Sequence, residues 1–478
     1  MKEYNVYDYG AAGDGVQKDT AAIQKAIDAC SADGGGKVAF PKGKYLTGTI
    51  HVRDFVTLSF SPSAVLLGST DIDDYNRPGV DNIHEMRDAH GLSIIYAENA
   101  ENIGIEGFGE ICGQGATFPC GTESYSVEDK EFAPVNQRFL RPVLLRFRYC
   151  KRVRFRDILF TASASHGVHI NWCKDVLADG VRIFNRANQN NDGFHIVASE
   201  DVRISNCNLS CGDDAIAISG GADRFAITNC IISSRWAAIR TMGASEGALR
   251  NIAISNCVIY DTYGCAVKLQ SSSGGIMENI SVDNIALENV TGPISLRLGT
   301  HFGFSPGRVE PYPIGIMRNI SFSNIIGTVA GYPDPLPHEV APFPGERRSC
   351  INLSGVEGHM IKNVSFTNIN LVFPGGGTAE EAERTDVPEL RDRYPEYFMF
   401  GILPAYGFYA RHVEELSLDK IKLTLLSKDM RAAIFCDDVE NLEIFRLTAD
   451  SHARQDNLLR FRNTRNAHID ASLAAPGA

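Results

Sequence analysis

The chain has 478 residues, of which 44% are hydrophobic and 22% charged, with a formal net charge of −12. That length holds two or three average domains, unless a repeat lets each part borrow its neighbour's core. The acidic balance excludes a nucleic-acid backbone as the main partner, and no apolar run approaches the roughly 18–20 residues that a membrane span needs.

Twelve cysteines lack the paired spacing of a metal site and read as buried free thiols. The first residues lack the apolar core and cleavage site of a secretory signal. With the thiols, this gives the expectation of a cytoplasmic protein, the alternative being a secreted one whose signal has been removed. No cofactor or metal ion is expected, and nothing in the sequence sets an oligomeric state.

The first hundred residues read as a cap and first coils. Asp19 and Thr20 start a helix that puts Ile23, Ala26, Ile27 and Cys30 on one face. Gly34, Gly35 and Gly36 end it, and strands follow around 38–40 and 56–60. Such a helix shields the open edge of a solenoid.

From Cys150 onward one phrase recurs: apolar, any, apolar, any, Asn. It reads Val202, Ile204, Asn206, then Phe225, Ile227, Asn229, then Ile252, Ile254, Asn256. It returns at Ile280, Val282, Asn284, at Ile320, Phe322, Asn324 and at Val364, Phe366, Asn368. Undisturbed copies lie about 23–28 residues apart, the period of a solenoid. Apolar residues two apart define a strand with one face inward, and Asn tolerates the bend that ends it. Stacked, the six Asn would form an amide ladder, and the next position (Cys207, Cys230, Cys257, Ile285, Ile325, Ile369) an inward apolar column. The fold expected is all-β: one right-handed parallel β-helix over 1–478, with cap and first coils in 1–100 and main coils in 101–478. Stretches 301–315, 331–348 and 374–397, rich in Pro, Gly and charge, read as loops thrown out from it, the last with a short helix over 378–384.

Asn190, Asn191, Asp192 and Gly193 precede Gly212, Asp213 and Asp214 by about one coil. Parallel strands stack about 4.8 Å apart, so these carboxylates fall on one wall. Crowded carboxylates resist joint ionisation, which leaves a protonated acid beside an ionised base, the pair that glycoside cleavage requires. Either motif alone is as readily a turn; one coil apart they favour a site. Asp437 and Asp438 have no acidic partner one coil earlier and read as a turn. His166 and His169 read as cleft lining or core packing, and His195 lines the site or bonds a neighbouring coil.

These segments resemble the polygalacturonase family, glycoside hydrolase family 28, which has Asn-x-Asp-Gly, Gly-Asp-Asp, Gly-His-Gly and Arg-Ile-Lys segments in that order. The likeness extends to 4–10, 111–115 and 394–412. It implies Asp213 as general acid, Asp192 and Asp214 as the groups that hold and activate water, Lys268 as a ligand for a substrate carboxylate, and inversion at the anomeric centre. A separation near 5 Å is instead the rule of thumb for retention. Two positions depart from the family pattern: its histidine falls at Arg235, and the arginine of Arg-Ile-Lys is Ala266. A cation at Arg235 favours an ionised carboxylate, so substrate contact suits it better than tuning an acid. Arg240 offers the charge lost at Ala266, and with Lys268 and Arg297 it would recognise a uronate; Asn190 and Trp236 complete the expected substrate contacts.

The reading is therefore a glycosidase acting on α-linked galacturonate-type or related pectic oligosaccharides or polysaccharides, with the loops closing one end of the cleft in favour of exo action. Two alternatives stand beside it: a uronide lyase or epimerase using Ca²⁺ at the Asp cluster, and a non-catalytic carbohydrate-binding solenoid.

Overall fold

The computed structural model describes residues 2–81, 91–119, 140–243, 247–272, 274–300, 313–329, 346–393, 395–451 and 458–470. Most of the expected loops 301–315 and 331–348 lies outside these residues.

The chain winds as a right-handed parallel β-helix, its 34 described strands paired in parallel from turn to turn. A turn has three strands: Glu200–Ser205, Asn208–Cys211 and Ile216–Ser219 pair with Ala222–Thr228, Ile231–Ser234 and Ala237–Met242 one turn later. Further along, the first two strands fuse into long bent ones, Ala248–Thr262, Ile276–Val290, Ile316–Val329 and Ile361–Phe373.

The bends fall at the repeated asparagines. Asn206, Asn229, Asn256, Asn284, Asn324 and Asn368 all have φ between 53° and 58°, a left-handed conformation that asparagine accepts better than most side chains. Their amide ladder is only partly formed. Asn284 donates to Asn256 and Asn368 to Asn324, both at 2.8 Å, but Asn256 turns to Thr228 and Asn324 to Asp283. A second ladder runs unbroken from Asn363 to Asn319, Asn279, Asn251 and Asp223.

Inside, Cys257, Ile285, Ile325, Ile369, Ile421 and Leu447 stand in register, all buried. Each aliphatic rung removed from water contributes roughly 1.5–3 kcal/mol, and the column forms part of one apolar core running from Tyr4 to Leu458. The eleven described cysteines are free thiols.

Helix α1, Thr20–Ala32, covers the first turns with Ile23, Ala26, Ile27 and Cys30 fully buried. Asp19 does not cap it; its carboxylate instead accepts the Ala12 and Gly13 N–H groups at 2.7 and 3.0 Å, clamping the preceding turn. Gly35 follows the helix at φ 102°, where a Cβ would sit 2.6 Å from the Phe55 carbonyl oxygen. Helix α2, Ala379–Glu383, begins in a capping box between Thr378 and Glu381. Asp437 and Asp438 lie within the strand Ala432–Ala449 rather than in a turn, with Asp438 at a bend of φ 53°; Asp437 pairs with Arg462 and Asp438 with His412.

Candidate active site

Coil length decides which carboxylates are neighbours. Phe194–Val197 pairs with Ile216–Ser219, Phe194 opposite Ile216, and this offset brings Asp192 level with Asp214. The Gly193 N–H donates to the Asp214 carbonyl at 3.0 Å, and the Asp213 N–H to that of Asn191 at 3.2 Å. The rungs one strand spacing apart are thus Asp192 and Asp214, while Asp213 stands beside Asn191 and is the more exposed of its pair.

Each carboxylate has a different partner. Asp214 accepts Nη1 of Arg240 on Oδ2 at 2.8 Å, and its Oδ1 is buried with no hydrogen-bond partner among the described residues. Asp192, 3% exposed, has Oδ2 at 2.7 Å from His195 Nδ1 and Oδ1 at 3.7 Å from His166 Nε2. Asp213 accepts the Asp214 N–H on Oδ1 at 2.8 Å, and its carbonyl takes the Ser234 hydroxyl at 2.5 Å.

Burial, and then the charge of Asp214, raise the pKa of Asp192 well above the usual aspartate range, against an opposing pull from Arg240. Burial and then Arg240 hold His195 down, to about 4. The wall therefore carries a carboxyl that retains its proton beside an ion-paired carboxylate, the division that acid–base chemistry needs.

The outward side chains form a column along the coils: Tyr96, Arg146, His169, His195, Ala217, Arg240 and Lys268, each opposite the next. His166, His169 and His195 stack, with ring centroids 4.5–4.8 Å apart and planes within 29°. Their nitrogens lie within 4.8 Å of one another, the one such donor group among the described residues. Imidazole lone pairs lie in the ring plane, so near-parallel rings do not converge on one ion. His195 Nδ1 is turned instead to Asp192, and His166 Nδ1 lies 2.5 Å from His169 Nε2. Calcium likewise needs several oxygens turned to one point, whereas Asp214 faces Arg240 and Asp192 faces His195.

A strap formed by residues 387–393 and 395–403 lies over the wall beyond Arg240. Lys268, 1% exposed, places its ammonium 2.8 Å from Glu396. Gln270 donates to the Pro395 carbonyl, Tyr397 to Thr291 at 3.1 Å, and the Thr300 N–H to the Arg391 carbonyl at 2.6 Å. Arg297, 2% exposed, donates to the carbonyls of Glu389 and Leu390 at 3.2 and 2.5 Å, and its guanidinium lies over the Phe400 ring. Burial, and then Arg411, pull the pKa of Arg297 down to about 9. Val387, Phe400 and Leu403 form a small apolar cluster of their own with Tyr409 and Phe435.

Lys268 and Arg297, expected at the substrate, thus lie beneath the strap, where a buried charge needs a permanent partner. Trp236, 6% exposed, stacks on Phe398 at 5.9 Å rather than presenting a free face. Arg235 is buried over the Trp236 and Tyr263 rings at 4.8 and 4.6 Å. Asn190 accepts from Arg141 at 2.7 Å at the groove's other edge. Of the expected cations, Arg240 touches a carboxylate of the wall, that of Asp214. Arg146 and Glu396 are the groups that sequence reasoning missed; it singled out His166, His169 and His195 but not their stacking.

A parallel β-helix bearing this acid–base wall defines a carbohydrate-cleaving solenoid. The profile of the family described as "Glycosyl hydrolases family 28" matches residues 30–372. A "Probable polygalacturonase" of Vitis vinifera is 23% identical over 449 residues, 88% of this chain and 85% of its own length. An "Exopolygalacturonase" of Platanus acerifolia is 24% identical over 78% of this chain and 91% of its own. The family 28 exopolygalacturonase of Yersinia enterocolitica shares the fold with a TM-score of 0.63 at 18% identity, over 99% of this chain and 79% of that one. The chain belongs to glycosyl hydrolase family 28 and is a glycosidase.

Proposed function

We propose that the protein hydrolyses α-linked galacturonate-type or related pectic oligosaccharides, with inversion, from a chain end. The supporting observation is the division of the wall into a buried, proton-retaining Asp192 and an Asp214 whose Oδ1 is left for water, with the more exposed Asp213 beside them.

Asp213 gives its proton to the glycosidic oxygen as the C1–O bond breaks and the bonding pair passes to the leaving sugar. Water held at Asp214 Oδ1 attacks C1 from the opposite face. Its proton passes to Asp192 in its ionised form, a stronger base than an ordinary aspartate because its pKa is raised. A covalent route asks one carboxylate to attack C1. Asp214 is bound through Oδ2 to Arg240, which suits it to holding water better than to attacking C1.

The strap supports exo action, since it lies across the wall over Lys268, Gln270 and Arg297 and bonds to each of them. Digestion of a pectic polymer and of short oligosaccharides, with products followed over time, tests both parts. Release of one small product with slow loss of polymer length is expected; a ladder of intermediate sizes contradicts the exo reading, and no cleavage of any pectic sugar contradicts the substrate.

A further inference from the structure

We propose that the sugar residue seated between the carboxylates and the strap is uncharged, and that Glu396 sets this preference. The inference rests on the hydrolase reading above and narrows its substrate to a bond whose strap-side residue is a neutral sugar or an esterified uronate.

Among the described residues, Arg240 and Lys268 stand in the outward column nearest the carboxylates, and Arg297 and Arg411 in the column beside it, where Gln270 faces Arg297 and Ser354 lies between Arg297 and Arg411; each of these four cations already has a partner. Arg240 holds Asp214 at 2.8 Å, and Lys268 holds Glu396 at 2.8 Å. Arg297 is bound by the carbonyls of Glu389 and Leu390, and Arg411 by those of Val387 and Pro388. All four side chains are buried.

The Lys268 pair is the decisive one. Burial pulls the Lys268 pKa down, but Glu396 and then Asp214 outweigh it and hold the ammonium above its usual pKa. Glu396 comes from the strap, 128 residues further along the chain, and is itself 8% exposed. A uronate reaching for Lys268 must therefore displace a carboxylate that is already there and leave it buried without its counter-ion, which is strongly unfavourable. If Glu396 stays, the uronate faces the carboxylates of Asp214 and Glu396 across a groove of low dielectric, where like charges repel. A neutral residue meets neither cost.

The strap is also built to stay. The Tyr397 ring closes over Gly292, where a Cβ would lie 2.9 Å from it, and the Arg391 carbonyl closes over Gly299, where a Cβ would lie 2.8 Å away. Side chains at either glycine would lift the strap, so its seating is written into the coils beneath it.

The test compares α-1,4-digalacturonate with its two mono-methyl esters, which differ from it in the charge of one residue at a time. For the wild-type protein, one of the two monoesters is expected to be cleaved with at least tenfold higher kcat/KM than the diacid. In Glu396→Gln the carboxylate competitor is gone and Lys268 is open to a uronate, so that advantage is expected to fall below threefold. A diacid cleaved as well as either ester by the wild type overturns the proposal, as does an unchanged ratio in the variant. The wild-type comparison stands by itself should the variant fail to fold. If the wild type cleaves none of the three, the hydrolase reading fails and this inference fails with it.

Discussion

His195 Nδ1 lies 2.7 Å from Asp192 Oδ2, in a setting that pushes the two groups toward neutrality from opposite sides. Burial raises the carboxyl and lowers the imidazole, so the pair holds one proton and no net charge rather than forming an ion pair. The histidine stack gives Asp192 a polarisable wall on the side away from Asp214.

Asp192 leaves a signature in stability. Its folded pKa is raised, so its contribution is fully present below the unfolded value near 3.8 and is lost as pH rises through the folded one. Asp192→Asn removes the need to ionise a buried group. Its stability relative to wild type is expected to improve as pH rises from the ordinary aspartate range to neutrality and above. Urea unfolding of both proteins across that range measures it; a constant difference contradicts the raised pKa.

Arg240 lowers the pKa of Asp192 and fixes Asp214. Arg240→Met takes away a positive charge, so the pKa of Asp192 rises further. The acidic limb of kcat/KM, where Asp192 must lose its proton to act as base, is expected to move to higher pH by about one unit. A limb that stays in place, whatever happens to the rate, separates Arg240 from the base.

Asp213→Asn keeps the shape and the acceptor for the Asp214 N–H but cannot supply a proton. A fall in kcat of about 10²–10⁴ is expected with an unchanged melting temperature. Substrates with a good leaving group, which need little protonation, should recover much of the loss. Equal loss on both kinds of substrate would falsify the acid role.

Asn279 has φ 57° and sits mid-ladder, donating to Asn251 at 3.1 Å and accepting from Asn319 at 3.3 Å. Asn279→Ala is expected to cost about 1–3 kcal/mol, from the left-handed backbone and the lost bonds together. Asn279→Gly, which keeps the backbone conformation, should cost less. Denaturant melts of the two variants resolve the contributions.

Much of the coil was legible because its constraints are local. A residue that must bend at positive φ selects Asn, and an inward position of fixed size selects Cys or Ile, so both recur with the coil. The second ladder follows the same period, its Asn standing just before Ile252, Ile280, Ile320 and Val364, but the sequence reading did not single it out. The site was legible as a pair of acidic motifs, but not its register. A coil of 22 residues rather than 21 makes Asp214, and not Asp213, the rung beside Asp192. His169 and His195 meet through a different pairing, one coil earlier, in which the two stand opposite each other. Glu396 follows no period at all: it arrives from an insertion, and nothing near Lys268 in sequence announces its partner.

Hydrolysis of a pectic disaccharide in ¹⁸O-labelled water, with product mass and anomer followed at early times, tests the acid–base wall most directly. The expected result is one labelled oxygen at the new reducing end, inverted configuration, and no such product from Asp213→Asn. An unsaturated product without added water, or labelled product of retained configuration, contradicts the roles assigned to Asp192, Asp213 and Asp214.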